Sequence, residues 1–195
     1  MSALAEARYT AADLLKLPDG NRFELVNGEL VENNMGWESC FVGSGLLARL
    51  RVHCDKGNLG WVNGPDASYQ CYEEVYPDDP DRIRKPDVSF IRLERMAPED
   101  CPEGHCDIVP DLVAEIISPN DTAYDVREKT EEYLRAGVRL VWVIDPHAKQ
   151  VDVHRADGSV QKLYEHEELS GEDVVPGFQL RVAELFRVPT APAKA

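Results

Sequence analysis

The chain has 195 residues, 43% of them hydrophobic and 29% charged, which is the size and composition of one globular domain with a real core. Asp and Glu total 36 against 21 Lys and Arg, so the formal net charge is −15. This balance argues against a protein that holds a nucleic acid by an open basic surface alone. Any contact with a polyanion must be local or bridged by a metal ion.

The sequence contains no segment typical of secretion or of a membrane span. Its first residues are polar where a signal peptide would be apolar, and no apolar run approaches membrane-spanning length. The five cysteines are irregularly spaced, and Cys101, His105 and Cys106 have no second cluster to complete a zinc site. We expect a cytoplasmic protein with reduced thiols, no membrane partner, one domain over residues 1–195 and a frayed tail at 189–195.

The first half of the chain predicts a helix, a hairpin, a long helix and then strands. Thr10 can cap a short helix that ends before Pro18, and Asn27-Gly28 predicts a tight turn between two strands over 23–31. Apolar side chains at helical intervals predict a helix over 37–54. Further strands are expected at 61–63, 67–74 and 85–91, followed by an exposed connection over 93–110.

The second half predicts a strand, a helix and a strand in succession. Residues 111–117 and 138–144 are apolar on both alternating faces, as in strands covered on each side. Between them, Thr122 and Asp125 predict a capped helix that ends at Gly137. This spacing is typical of a right-handed crossover, which makes the two strands parallel. A hairpin over 151–164, a strand near 178–180 and a short helix at 182–186 are expected to follow.

Two acidic residues suggest a metal site at the edge of this sheet. Glu115 lies within the apolar strand, where an ionised carboxylate needs a positive partner, and Asp87 begins another predicted strand. If the strands are neighbours, both carboxylates can bind one ion, and oxygen ligands favour magnesium or manganese. Asp125, Lys129 and Tyr133 share one helix face, from which the lysine could reach the sheet. Tyr133 itself is expected to pack in the core with its hydroxyl at the surface.

Taken together, the order and spacing of these segments resemble a known family. The chain is similar to the Uma-type restriction endonucleases, a bacterial branch of the PD-(D/E)XK nuclease superfamily, over nearly its whole length. The resemblance is carried by residues 9–15, 22–30, 85–88, 111–119, 125–133, 137–138, 141–146 and 176–178.

This resemblance implies an α/β fold, namely a mixed sheet of the restriction-endonuclease type flanked by helices, with added N-terminal and C-terminal β-hairpins. It also implies a DNA endonuclease that uses magnesium or manganese. Asp87 and Glu115 would be metal ligands, joined by the carbonyl of Ile116, and Lys129 would be the catalytic lysine, carried on a helix. Glu24 matches a further acidic position of such sites. In these enzymes water attacks the phosphodiester and leaves a 5′-phosphate and a 3′-hydroxyl.

Simpler interpretations remain open for each residue. Glu115 could be a buried carboxylate satisfied by an arginine, Lys129 could pair with Asp125 on an exposed helix face, and strand alternation alone would turn Glu24 to solvent. The protein could instead be a non-catalytic protein-association module on a nuclease scaffold, or a metal phosphodiesterase for small substrates. DNA binding would need a small basic rim, for which the candidates are Arg84, Lys85 and Arg127. A homodimer could form through exposed strand edges and the aromatic residues Trp37, Trp61 and Tyr69.

Overall fold

The computed structural model describes residues 8–33 and 36–190, which form four α-helices and ten β-strands. The helices are α1 (Ala11–Lys16), α2 (Trp37–Gly57), α3 (Ala123–Ala136) and α4 (Val182–Leu185). The strands are β1 (Phe23–Val26), β2 (Glu29–Glu32), β3 (Gly60–Asn63), β4 (Val88–Arg92), β5 (Leu112–Ile116), β6 (Leu140–Asp145), β7 (Gln150–Arg155), β8 (Val160–Tyr164), β9 (Glu168–Ser170) and β10 (Gln179–Arg181). The first seven residues, and five of the seven in the expected frayed tail, lie outside the described part.

Six strands form the central sheet, in the order β3-β4-β5-β6-β7-β8. Strands β5 and β6 are parallel, as the crossover through α3 requires, and the other neighbours are antiparallel. The hairpin expected over 151–164 supplies β7 and β8 at one edge of this sheet. The mixed α/β sheet flanked by helices is therefore confirmed.

Two separate hairpins are added to the sheet. At the turn between β1 and β2, Asn27 and Gly28 have φ angles of 53° and 77°, which asparagine and glycine tolerate best. The second hairpin pairs β9 with β10 near the end of the chain. Both agree with the added N-terminal and C-terminal hairpins expected for this fold.

Each face of the sheet buries its own apolar core. Helix α2 covers one face, where Leu46 and Leu50 join Phe90 and Trp142 in a fully buried cluster. Helix α3 covers the other face and packs Tyr133 against the alternate residues of β5 and β6. Burial of each large side chain stabilises the fold by about 1.5–3 kcal/mol. These contacts fix the positions of both helices relative to the sheet.

The strand expected at 67–74 is wrong. Only isolated bridges occur there, between Tyr69 and both Arg84 and Cys106. Tyr69 and Tyr72, three residues apart, are buried in the same core, and this spacing is incompatible with the period of two that a strand requires. None of the helices in the described ranges is long and apolar enough to span a membrane.

Candidate active site

Asp87 and Glu115 meet where two strands of the sheet pair. Strands β4 and β5 are antiparallel with Val88 opposite Ala114, so the next position along the register sets Asp87 beside Glu115. One Asp87 oxygen, Oδ2, accepts a hydrogen bond of 2.7 Å from the backbone N–H of Ile116. The two carboxylates are 28 residues apart in the chain and close together in the fold because the strands are neighbours.

The backbone of Ile116 also faces this site. In a strand, the N–H and C=O of one residue point toward the same neighbour, and the Ile116 N–H points to Asp87. The next residue, Ile117, turns its N–H the other way and donates to the Ile144 carbonyl at 2.8 Å. The Ile116 carbonyl is therefore directed to the side of the sheet where Asp87 lies.

Helix α3 delivers two side chains to Glu115. The helix begins at a capping box, in which the Thr122 hydroxyl accepts from the Asp125 N–H and the Asp125 carboxylate accepts from the Thr122 N–H. Lys129 and Tyr133 follow one turn apart on one face. The Tyr133 hydroxyl donates to Glu115 Oε1 at 2.6 Å, and Lys129 Nζ lies 4.0 Å from Oε2. The expectation that the Tyr133 hydroxyl is at the surface is wrong, because Tyr133 is fully buried in the core.

Glu24 is a third carboxylate at this site, in contact with Lys129. It is 1% exposed, so the solvent-facing orientation suggested by strand alternation is wrong. Lys129 Nζ donates to Glu24 Oε1 at 3.2 Å, and the pairing of Lys129 with Asp125 is replaced by this contact. Burial favours the neutral amine of Lys129, but the charges of Glu115 and Glu24 outweigh it and raise the pKa of Lys129. Lys129 is therefore a fixed ammonium group.

A buried ionic network holds Glu24 in turn. Arg84 donates from Nη1 to Glu24 at 2.9 Å and from Nη2 to Glu132 at 2.7 Å. Arg82 also donates to Glu132, at 3.1 Å. Burial would raise the pKa of Glu24, but Lys129 and Arg84 lower it below its usual value, so it stays ionised. The predicted role of Arg84 and Lys85 in an exposed basic rim is wrong, since both are at least 95% buried.

The sequence analysis missed Arg84 and Glu132 as supports of the site. A signal for Glu132 was present, because it follows Lys129 by three residues and shares its side of α3. For Arg84 the signal was its place three residues before Asp87, within a run of charged residues. Such a run is ordinarily read as solvent-exposed, and only the folded contacts show that it is buried.

The two site carboxylates are poorly compensated. Burial, reinforced by the charge of Glu115, raises the pKa of Asp87 well above its usual value. Burial also raises the pKa of Glu115, although Lys129 opposes this effect. A buried carboxylate beside a largely buried one favours a bound proton or a bound cation between them.

A cavity of about 40 Å³ opens onto these groups. Its volume suits one ion with one or two waters, since a single water needs at least about 10–15 Å³ by this measure. Residues 8–33 and 36–190 contain no cluster of three or more His, Cys, Asp or Glu side chains suited to a metal. A metal would therefore rely on two carboxylates and a carbonyl, all hard oxygen donors of the kind that magnesium and manganese accept. The cavity is lined by Asn33, Asp87, Glu115, Ile116, Ile117, Ser118, Asp121, Asp125, Val126 and Lys129.

Comparisons with known proteins agree with this fold. The model of the Uma2 family, described as "Putative restriction endonuclease", matches residues 11–183. Among solved structures, the chain is similar to "a putative nuclease belonging to DUF820" from Anabaena variabilis ATCC 29413. The TM-score is 0.74 at 19% sequence identity, over 91% of this chain and 97% of that chain, a likeness of fold. No curated protein matches the sequence.

Proposed function

The chain belongs to the Uma2 family of nuclease-like proteins, and from this premise we propose that it is a metal-dependent endonuclease that hydrolyses DNA phosphodiester bonds. The observation that supports this most is the meeting of Asp87, Glu115 and Lys129 at one small cavity. Two acids with raised pKa values and one fixed ammonium group are typical of catalytic sites rather than of structural cores.

In this proposal, Asp87, Glu115 and the Ile116 carbonyl would hold a magnesium or manganese ion. When bound, the ion would lower the pKa of a water molecule and offset the negative charge of the phosphate. Tyr133 keeps Glu115 in place through its 2.6 Å hydrogen bond, and Ile116 does the same for Asp87 through its N–H. The chain thus fixes both carboxylates before any ion arrives.

Lys129 acts as a positioned cation and not as a base. Its raised pKa keeps Nζ protonated, so it can donate to the attacking water or to a phosphate oxygen as negative charge grows there. Glu24, held by Arg84, fixes the direction of Nζ. The water oxygen forms a bond to phosphorus and gives up a proton to bulk water, while the bond from phosphorus to the 3′ oxygen breaks and that oxygen takes up a proton. The products are a 5′-phosphate and a 3′-hydroxyl.

One observation favours a second candidate function, a phosphodiesterase for small substrates. Of the three residues expected to form a basic rim, Arg127 is exposed and the other two are buried. The cavity is also bordered by Asp121 and Asp125. A short substrate needs fewer cationic contacts than a duplex.

Cleavage assays test the proposal and separate the two candidates. Supercoiled plasmid and a chromogenic phosphodiester are incubated with magnesium or manganese and the wild type, Asp87→Asn, Glu115→Gln or Lys129→Met. We expect each variant to lose roughly 100-fold or more of the plasmid activity, as when a preorganised charge is removed. The exposed strand residue Glu29 gives the matched control, Glu29→Gln, which should cleave like the wild type.

Three results would reject the nuclease. Equal residual plasmid cleavage in the wild type and all three site variants would trace the activity to a contaminant. Turnover of the chromogenic ester alone, lost in the same variants, would support the small-substrate enzyme. Absence of both activities, with no heat on magnesium titration, would favour a module without catalysis.

Location and assembly are proposals as well. All five cysteines are free thiols, which supports the cytoplasmic location expected from the sequence. We also propose a homodimer, for which fewer aromatic residues are accessible than the sequence suggested. Of the three aromatic residues named for it, Tyr69 is 1% exposed and Trp61 is partly buried, whereas Trp37 is 92% exposed.

A further inference from the structure

Helix α2 carries an apolar stripe on the side opposite the sheet. Successive members of the stripe, which begins at Trp37, are separated by four, seven and four residues. This spacing puts them on one face of the helix. Trp37 is 92% exposed, Val52 55% and Phe41 40%. The buried side of the same helix lies half a turn away and holds Val42, Leu46, Leu50 and Cys54. The stripe consists of Trp37, Phe41, Ala48 and Val52, all exposed.

Exposure of this kind indicates a contact surface. Tryptophan is among the side chains that are largely buried on average, and an indole left in water forgoes a large apolar stabilisation. Single exposed apolar residues are ordinary, but an aligned series headed by a tryptophan is typical of an interface hot spot.

The stripe is self-complementary. Its midpoint falls between Ser44 and Gly45. Ser44 is small and exposed, and the Arg49 side chain, which donates to the Gly45 carbonyl at 2.9 Å, must turn aside for a second helix to approach closely. Large side chains lie on the N-terminal side of that point and smaller ones on the C-terminal side. A second α2 running antiparallel would therefore set Trp37 against Val52, and Phe41 against Ala48, in both directions at once. This is the pattern that two-fold symmetry requires of one surface.

A groove lies beside the C-terminal half of the stripe. It has a volume of about 470 Å³, within the range of sites that receive small ligands. Ala48 and Val52 form one wall, and Gly177 and Phe178 of the segment before β10 form the other. In the antiparallel arrangement, this groove is opposite the Trp37 of the second copy.

The charges along α2 suit the same arrangement. Glu38 is exposed next to Trp37, at the N-terminal end of the stripe. Arg49 and Lys56 border the groove at the other end and are exposed too. Glu184 also lines the groove and Asp55 is exposed near it, so the complementarity is between single side chains. Antiparallel copies bring Glu38 of each helix toward Arg49 and Lys56 of the other, whereas parallel copies would bring each charge to its own kind.

From these observations we propose that two copies of this chain dimerise about a two-fold axis at Ser44 and Gly45, with Trp37 of each copy in the groove of the other. Helix α2 has 21 residues and is about 32 Å long. Its exposed face offers roughly 300 Å² per copy, less than the roughly 800 Å² of a standard interface, so the groove walls must contribute and the affinity is moderate. The dimer is independent of the proposed nuclease activity.

Sedimentation equilibrium of the full chain tests the dimer over about 1 to 200 μM, where a moderate interface is populated. We expect the wild type to shift from monomer to dimer across this range and Trp37→Ala to weaken the association at least tenfold. The matched control is Tyr124→Ala, because Tyr124 is an aromatic residue of α3 that is 61% exposed and lies outside the stripe. A wild type that stays monomeric throughout overturns the proposal.

A cross-linking experiment tests the symmetry without depending on how Trp37→Ala folds. Residues on a two-fold axis meet their own copies, so Ser44→Cys should form a disulfide-linked dimer under mild oxidation well above the wild-type background. The wild type sets that background because Cys40 and Cys101 are exposed. Val160→Cys, at an exposed site away from α2, should stay at background. If the Ser44→Cys protein does not cross-link and Trp37→Ala still dimerises, the dimer uses another surface. That outcome contradicts the proposed contact through α2.

Discussion

Asp87 is the residue at which stability and the proposed function conflict. It is 95% buried, next to Glu115, and one hydrogen bond from Ile116 N–H supports its Oδ2. A carboxylate in this position favours the protonated form, as the raised pKa of Asp87 shows. Without a cation, its ionisation at neutral pH destabilises the fold. Proteins keep destabilising buried charges such as this one at positions where binding or catalysis requires them.

We predict that Asp87→Asn stabilises the protein at pH 7 in the absence of divalent ions, by about 1–2 kcal/mol. The amide oxygen keeps the hydrogen bond from Ile116 and removes the charge. Because the folded pKa of Asp87 lies above the unfolded value of about 3.9, its carboxyl stabilises the fold below that pH and loses the effect as the pH rises through the folded pKa. Wild type and variant should therefore agree in acid and diverge toward neutral pH.

Urea unfolding in the presence of a chelator measures this difference. Saturating magnesium, at about 100 times its Kd, should then raise the free energy of unfolding of the wild type by about 2.7 kcal/mol and leave Asp87→Asn nearly unchanged. Glu29→Gln removes an exposed carboxylate of β2 and should respond to magnesium like the wild type. An Asp87→Asn protein that is less stable than the wild type without metal would contradict this account.

For single residues, the sequence predicted the contacts that follow from local geometry. It missed the contacts that depend on burial. The meeting of Asp87 with Glu115 follows from strand pairing, and the reach of Lys129 follows from helical spacing. The position of Arg84 between Glu24 and Glu132 joins three separate parts of the chain. No local pattern distinguishes a buried arginine from the exposed ones that are far more common.

Among the elements, α3 determines the site most directly. It carries Lys129, Glu132 and Tyr133, and its limits are fixed by a capping box at Thr122 and by Gly137, whose φ is 105°. Such signals lie within a few residues of the helix ends, so the sequence predicted this helix well. The segment 67–74 was predicted wrongly because its structure comes from packing against distant residues.

We predict that Thr122→Ala and Thr10→Ala lower the stability by similar amounts and differ in their effect on the site. Each threonine closes a capping box, in α3 and α1 respectively, and its loss costs about 1 kcal/mol. Only α3 carries site residues, so only Thr122→Ala should weaken magnesium binding. Thermal unfolding gives the first quantity and calorimetric titration the second. Equal magnesium affinities in the two variants would mean that the first turn of α3 does not influence the site.

For the whole molecule, the distribution of charge limits how it would bind DNA in the proposed function. The net charge is −15, and Arg84 and Lys85, which precede the site, are buried. Arg127 is exposed on α3, with Glu131 3.9 Å away, and Lys129 points into the cavity. The total charge follows from the composition alone, but two of the three rim cations were predicted wrongly as exposed, since burial is a property of the whole fold. Long-range repulsion must be offset by a few contacts at the site itself.

We predict that DNA binding by this protein depends only weakly on salt. Calcium replaces magnesium to suppress cleavage, and fluorescence anisotropy of a labelled duplex measures the affinity between about 50 and 200 mM salt. With Arg127 and Lys129 as the cationic contacts, log K should fall against log salt with a slope near −2, so the loss is roughly 20-fold or less. Arg127→Ala should make the slope shallower by about 1, while Arg135→Ala, exposed two turns further along α3, should leave it unchanged. A slope of about −6 or steeper would require a basic surface of at least six phosphate contacts, which the burial of Arg84 and Lys85 argues against.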